Sequence, residues 1–169
     1  MRTIRGMVAW DEFVEEAPRI AELFLRRHAA TGNLSFLATL RPDGYPRISP
    51  MEPRIFEGHL VLLGMPNTQK FRDLARDPRF SLHTATIDPN VGDGDAKVWG
   101  DARNVEDKDM HGRFAQDLFA ESGFDLRGRE FDHFFVADLA GASAVEFRDR
   151  QLTITTWKPG QGERSTPLG

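Results

Sequence analysis

Two polar side chains stand where a predicted strand meets a predicted helix. Residues 59–65 form an apolar run typical of a buried strand, and Thr68 is a candidate cap for a short helix that Pro78 ends. Free backbone N–H groups, the Thr68 hydroxyl and the Lys70 ammonium would converge there, which is the chemistry of an anion or phosphate site. Taken alone, this stretch fits a plain helix cap with a solvated lysine somewhat better than a phosphate site.

Residues that would carry other common chemistries are missing or differently spaced. The chain has no Cys, which excludes disulfides, thiolate nucleophiles and thiolate metal sites. It has no nucleophile elbow, Walker A loop or HExxH motif, and its five histidines never stand at metal-ligand spacing. The acidic loop at residues 88–95 lacks the ligand pattern of an EF-hand, so it reads as a hairpin connection. We therefore predict no metal site.

Composition is typical of a single globular domain. The 169 residues are 40% hydrophobic and 28% charged. The net charge of −4 argues against a nucleic-acid partner, because phosphate neutralisation needs clustered Lys and Arg in excess. No window approaches the roughly 20 apolar residues of a membrane span, and nothing at the N-terminus resembles a signal peptide. We expect a cytoplasmic protein without a membrane partner.

Periodicity and turn residues predict the elements that position these groups. Apolar spacings of three and four indicate an amphipathic helix over about residues 10–30, with Pro18 as a candidate kink, and a later helix over about residues 106–120. Three prolines in the strand at residues 45–55 remove ladder donors, so that strand should be an edge, bulged or bent. Strand-like segments cover residues 34–40, 45–55, 59–65, 79–87, 96–105, 134–139, 142–147 and 152–156, and we predict six or seven strands from them.

Short connections between these strands favour antiparallel pairing, because parallel strands would need helices between most of them. The sequence thus predicts a mainly β fold with inserted helices, a closed or split antiparallel barrel of six to seven strands. Residues 1–158 should form one domain. Residues 159–169, rich in Gly and Pro, are predicted to be a flexible tail.

Five stretches in fixed order resemble the pyridoxamine 5′-phosphate oxidase-like family. They are residues 37–50 (LATLRPDGYPRISP), 59–65 (HLVLLGM), 67–70 (NTQK), 77–79 (DPR) and 98–102 (VWGDA). Each is weak alone, but their order and spacing are specific, and the resemblance covers about residues 30–158. It implies an FMN-binding split barrel that forms a homodimer with the cofactor at the subunit interface.

The resemblance also implies where the cofactor lies. In relatives, the residues at Thr68, Gln69 and Lys70 hold the phosphate of FMN, and the strand at residues 47–51 lies along the isoalloxazine ring. An arginine there, Arg47, would stabilise the anionic reduced ring. The predicted cofactor-binding residues are Arg47, Ile48, Ser49, Gly64, Met65, Thr68, Gln69, Lys70, His83 and Trp99.

Several of these residues have an alternative explanation. A salt-bridged or exposed position explains Arg47 as well as a cofactor contact does, and it explains Arg54 better. Trp157 resembles a tryptophan that lies near the partner subunit's cofactor in relatives. Core or dimer packing is an alternative explanation for His83, Trp99 and Trp157.

Departures from the family pattern limit the functional prediction. Typical oxidases of the family carry Ser-Arg-Lys at residues 68–70, and they end in Arg-Leu-x-Pro where this chain has Trp157-Lys158-Pro159-Gly160. The cofactor is thus left open between FMN and a deazaflavin, and vitamin oxidation is disfavoured. The prediction is a flavin- or deazaflavin-dependent oxidoreductase that acts on a small conjugated or aromatic molecule by hydride transfer. The alternatives are a non-catalytic flavin- or haem-binding split-barrel protein and a dimer without a cofactor.

Overall fold

The computed structural model describes residues 6–86, 92–148 and 150–168. The helices in these ranges are α1 (Trp10–Glu16), α2 (Pro18–Ala30), α3 (Gln69–Arg76) and α4 (Lys108–Ser122). The strands are β1 (Ser35–Leu40), β2 (Pro46–Met51), β3 (Arg54–Phe56), β4 (His59–Leu62), β5 (Arg79–Thr84), β6 (Asp95–Asn104), β7 (Phe135–Arg148), β8 (Gln151–Trp157) and β9 (Glu163–Leu168).

The strands form one open antiparallel sheet. The order is β2-β1-β5-β6-β7-β4-β3, with β8 on β7 and β9 on β8, and every pairing is antiparallel. The prediction of a mainly β, antiparallel split barrel is confirmed. The described residues contain nine strands, however, rather than six or seven. The predicted connection at residues 88–95 lies partly outside the described residues, as does the end of the predicted strand at residue 87.

The proline-rich strand predicted at residues 45–55 is two strands at opposite ends of the sheet order. β2 pairs with β1, β3 pairs with β4, and the chain passes from one to the other through Glu52 and Pro53. Pro46 and Pro50 lie in β2, which is the last strand at one end of the sheet. The N–H groups that these prolines lack would face no further strand on the open side, so no ladder hydrogen bond is lost there. The expected edge position is confirmed.

The predicted helix at residues 10–30 is two helices that meet at Ala17. Proline disfavours helical geometry in the residue before it, and Ala17 has φ −135° and ψ 58° while Pro18 begins α2. Both helices bury apolar side chains, among them Phe13 and Phe24, which are fully buried in the main core with residues of the sheet.

The segment predicted to be a flexible tail contains β9, which pairs with β8 from Trp157↔Glu163 to Leu152↔Leu168. The turn before β9 is closed by a hydrogen bond from the Gln161 N–H to the Lys158 carbonyl. Pro159, Gly160 and Gly162 thus belong to a hairpin turn, and both of these glycines have positive φ.

A second core lies between α4 and the end of the sheet that carries β4. As predicted, α4 buries Met110, Phe114 and Leu118, and these pack in a cluster with Phe134 and Val136 of the sheet side. The Asp107 carboxylate caps the helix by accepting from the Asp109 and Met110 N–H groups. None of the helices in the described ranges has the length and apolar character needed to cross a bilayer.

Candidate functional site

The start of α3 carries a buried hydroxyl that has no hydrogen-bond partner in the described part of the chain. Thr68 is the N-cap residue in extended geometry, but its side chain makes no capping hydrogen bond. Its Oγ1 is buried and unpaired among the described residues. The N–H groups of the first helical turn have no acceptor within the helix. Unpaired donors and a buried hydroxyl at one helix start form an arrangement that suits a bound anion.

Lys70 lies between this helix start and the edge strand. Its Nζ donates a hydrogen bond of 2.9 Å to the Pro50 carbonyl of β2, and it lies 5.7 Å from the centroid of the Phe71 ring. Burial lowers the pKa of Lys70, and the charge of Glu52 partly opposes that shift. An ammonium has three donors, so the bond to Pro50 leaves capacity for a ligand beside the Thr68 hydroxyl.

Asp73 is a functional candidate that sequence reasoning missed. Its carboxylate is 3% exposed and accepts from Arg47 Nε at 2.7 Å and from Thr39 Oγ1 at 3.0 Å, while Arg76 Nη1 lies 3.5 Å away. Burial alone would raise the pKa of Asp73, but hydrogen bonds from Arg47 and Thr39 and the charges of Arg47 and Arg76 hold it below its usual value. Arg47 is therefore salt-bridged, the alternative named for it above.

The apolar residues of α3 predict that Phe71, Leu74 and Ala75 face inward, but the helix presents a different face to the sheet. Phe71 and Leu74 are buried as expected, but Ala75 is exposed and Asp73 is buried in its place. At 100° per residue, the buried arc is centred near Lys70 and Leu74, so Ala75 lies outside it. The only local signal for this was the i, i+3, i+4 spacing of Lys70, Asp73 and Leu74.

The pairing of β2 with β1 places the candidate residues of β2 on two different faces of the sheet. Arg47 lies opposite Thr39, and Ser49 lies opposite Leu37, so both share the face of these buried residues. Ile48 lies opposite Ala38 on the other face, where its side chain is 72% exposed. The structure thus brings Arg47 and Ser49 to the same side as Asp73 and α3, and it directs the Ile48 side chain away.

His83 and Trp99 also lie on the face away from α3. Cross-strand pairing continues from Ile48 through Ala38 and Ser81 to Trp99, and His83 lies opposite Phe36 in the adjacent row. Trp99 covers Gly141 so closely that a Cβ there would approach its ring to 2.4 Å. The His83 ring contacts the Thr84 carbonyl at 2.6 Å through Nδ1, and its Nε2 lies 3.5 Å from Asp95.

Five further residues complete the set of candidates. Gly64 follows β4, where a Cβ would lie 3.2 Å from the Phe71 ring, and Met65 is 77% exposed. Gln69, the first residue of α3, is exposed. Trp157 is buried against Phe13 and donates to Glu16 at 2.8 Å, which is a packing position within this chain. Arg54 pairs with Glu121 of α4.

The open antiparallel sheet, with α3 following β4, defines a split-barrel protein. The family model described as pyridoxamine 5′-phosphate oxidase matches residues 22–146. The chain therefore belongs to the pyridoxamine 5′-phosphate oxidase-like family, as its motifs indicate. A comparison with curated proteins gives no match.

Solved structures share the fold at low sequence identity. PhzG from Burkholderia lata 383, in complex with tetrahydrophenazine-1-carboxylic acid, has TM-score 0.59 and 14% identity over 85% of this chain and 89% of its own. A pyridoxamine 5′-phosphate oxidase-related, FMN binding protein from Nostoc punctiforme PCC 73102 has TM-score 0.58 and 15% identity over 90% and 95%. A heme binding protein from Mycobacterium smegmatis has TM-score 0.53 and 24% identity over 89% and 58%. These likenesses establish the architecture.

Proposed function

We propose that the protein binds FMN, or a deazaflavin, through the phosphate at the start of α3, and that it is an oxidoreductase acting on a small molecule. The observation that carries this proposal is the buried Thr68 hydroxyl, which is unpaired among the described residues and precedes a helix whose first turn includes Lys70. Family membership supports a cofactor phosphate as the anion, and the similar fold of an FMN binding protein is consistent with it.

The side chains around this helix start would divide the work of holding the cofactor. Thr68, Gln69 and Lys70 would bind the phosphate, the ammonium adding charge to the hydrogen bonds of the backbone. Asp73 holds the Nε–H of Arg47 and so fixes the guanidinium on the side of the sheet that Ser49 shares. A fixed cation stabilises negative charge on a reduced ring. A bound flavin would itself supply the hydride chemistry, so no acid–base residue is required.

We further propose a homodimer in which the outer face of the sheet is the interface. Ile48 is 72% exposed, Phe36 is 40% exposed, and the half-buried Trp99 lies on the same face. Exposed apolar side chains gathered on one face are typical of an interaction surface. His83 and Trp99 lie on this face, away from their own α3, so they would reach a cofactor only across the interface, from the partner subunit.

Cofactor titration of matched variants tests the phosphate site. Lys70→Met keeps the half-buried stem but removes the charge, and Arg72→Met removes an exposed cation from the same helix. A charge-assisted contact contributes about 1.5–3 kcal/mol, so Lys70→Met should weaken FMN or deazaflavin binding by roughly tenfold to a hundredfold. Arg72→Met should bind like the parent. Calorimetry measures both, and the absorption spectrum of the purified protein identifies any cofactor that co-purifies.

Each result has a defined meaning. Equal affinity of the Lys70→Met variant and the parent would place the phosphate elsewhere and refute the assignment of residues 68–70. Binding of flavin without turnover of any electron acceptor or donor would favour a non-catalytic carrier. A Soret band in place of a flavin spectrum would favour the haem-binding alternative.

A further inference from the structure

A cavity of about 640 Å³ lies beside the candidate cofactor residues. One side is formed by Gly64, Met65 and Pro66, the segment that leads into Thr68. The rest is formed by Glu52 and Arg54, by Val61 and Leu63, by α4 and by residues from 124–133. Its volume falls in the range of about 300–1,000 Å³ that small-molecule sites occupy. The cavity is therefore large enough for a ligand of several fused rings.

The walls of the cavity are aromatic and aliphatic. Phe114 and Leu118 of α4 face Phe124, Leu126 and Phe131 from the segment that follows the helix. Phe114 and Phe131 stand nearly perpendicular, with ring centroids 6.3 Å apart, and Phe124 is 61% exposed at the rim. Rings presented at different angles favour a flat aromatic ligand, which can stack on one and meet another edge-on.

Charges at the rim disfavour an anion. The cavity is bordered by the carboxylates of Glu52, Glu130 and Asp132 and by two arginines. Of the arginines, Arg54 already pairs with Glu121 of α4, which leaves Arg129, together with Lys70 near Glu52, to offset three carboxylates. Lys108 pairs with Glu130, but that contact is fully exposed to solvent and weak. An anionic ligand would therefore enter against unfavourable electrostatics.

His133 adds an imidazole to the lining of the cavity. It is one of the lining residues, and its Nε2 is buried with no hydrogen-bond partner in the described part of the chain. Its ring centroid lies 4.0 Å from that of Phe71, so the imidazole packs against α3, the helix whose N-cap residue is Thr68. Burial lowers the pKa of His133, which favours the neutral ring, although Asp132 opposes the shift. A buried polar atom without a partner is costly unless a ligand satisfies it.

We propose that this cavity binds a neutral, flat aromatic molecule that forms a hydrogen bond with His133. Its role as the substrate rests on the proposed function, because Gly64 and Met65 are shared with the candidate cofactor site. The binding itself rests only on the cavity, its aromatic walls, its rim charges and the unpaired nitrogen.

Two probes with one aromatic frame test the charge and shape of the site. N-phenyl-1-naphthylamine is neutral, whereas 8-anilino-1-naphthalenesulfonate adds a sulfonate to the same rings. Fluorescence titration of the full chain should show the neutral probe binding at least about tenfold more tightly. Ser122→Trp fills the cavity from its exposed rim and should weaken the neutral probe by a similar factor. Gln116→Trp, exposed on the same helix and away from the cavity, should not change its binding.

A second variant tests the hydrogen bond. His133→Phe keeps a ring against Phe71 and Phe135 but removes Nε2. It should weaken binding of 2-naphthol and leave binding of naphthalene unchanged, because only the naphthol can form the hydrogen bond. Equal losses for both ligands would mean that His133 has a packing role alone.

The outcomes separate this proposal from the proposed function. If FMN does not bind but the neutral probe binds and Ser122→Trp blocks it, the proposed function fails and the cavity assignment stands. If FMN binds and the probe does not, or if Ser122→Trp has no effect, the cavity assignment is overturned. Displacement of the probe by FMN at one equivalent would also overturn it, because the cavity would then hold the cofactor.

Discussion

Replacing Asp73 with asparagine should destabilise the cofactor-free protein by about 2 kcal/mol. Asparagine keeps the volume and one acceptor oxygen, so the bond from Thr39 can persist, but the charge opposite Arg47 is lost. A hydrogen bond to a charged group contributes about 1.5–3 kcal/mol. The Asp73 side chain is 3% exposed while that of Arg47 is 25% exposed, so water can partly rehydrate the unpaired guanidinium. The loss should therefore stay below the roughly 3–5 kcal/mol seen when a fully buried pair is broken.

The effect of Asp73→Asn should depend on pH in one direction. The pKa of Asp73 is lower in the folded protein than its usual value, so the folded state binds fewer protons than the unfolded state. Its contribution to stability is therefore fully present above the unfolded pKa of about 3.9, and it is lost as the pH falls through the lower folded pKa. Asparagine does not titrate. The difference in stability between parent and variant should be constant near neutral pH and shrink below about pH 4.

Urea unfolding of the two proteins between pH 7 and pH 3.5 measures this difference. Asp77→Asn is the matched control, because Asp77 lies at the end of the same helix but pairs with Arg79 at the surface. The control should change stability little, since exposed pairs are screened and hydrated. The account of Asp73 would be refuted by a variant as stable as the parent at pH 7, or by a difference that does not diminish in acid.

Two further substitutions test the remaining parts of the site. Thr68→Val replaces the buried hydroxyl, unpaired among the described residues, with a methyl group. The cofactor-free protein should therefore keep or gain thermal stability, while its affinity for FMN falls. A marked loss of stability without a loss of affinity would mean that the hydroxyl serves the fold. Ile48→Arg places a charge on the exposed sheet face and should convert a dimer into a monomer in light scattering at micromolar concentration, whereas a parent that is already monomeric would refute the interface.

The spacing of apolar residues within short stretches predicted the elements whose structure depends on those stretches alone. The buried run at β4 and the face of α4 with Met110, Phe114 and Leu118 follow from apolar spacing alone. β9 was missed because its strand character comes from the edge of β8, a partner that periodicity does not reveal. The division of the proline-rich strand into β2 and β3 was missed for the same reason, since each half pairs with a different neighbour.

Groups brought together by the fold were not predictable from any window. Asp73 is 34 residues from Thr39 and 26 residues from Arg47, and no single stretch shows that they meet. The cavity likewise combines β4, α4 and residues 124–133. The residues proposed to bind the phosphate, in contrast, are contiguous at positions 68–70, so a single stretch of sequence is enough to propose them.

The prolines of β2 connect the edge of the sheet to the chemistry at α3. In an antiparallel ladder, the N–H and C=O of one residue point to the same side of the strand. The Pro50 carbonyl accepts from Lys70, so it points toward the helix, and any N–H at residue 50 would point the same way. A backbone N–H at residue 50 would point toward the Lys70 ammonium, and the positive ends of the two donors would repel each other. Proline removes that donor and leaves the carbonyl, so the residue type that confines β2 to an edge also prepares a neutral anchor for Lys70 beside the proposed phosphate site.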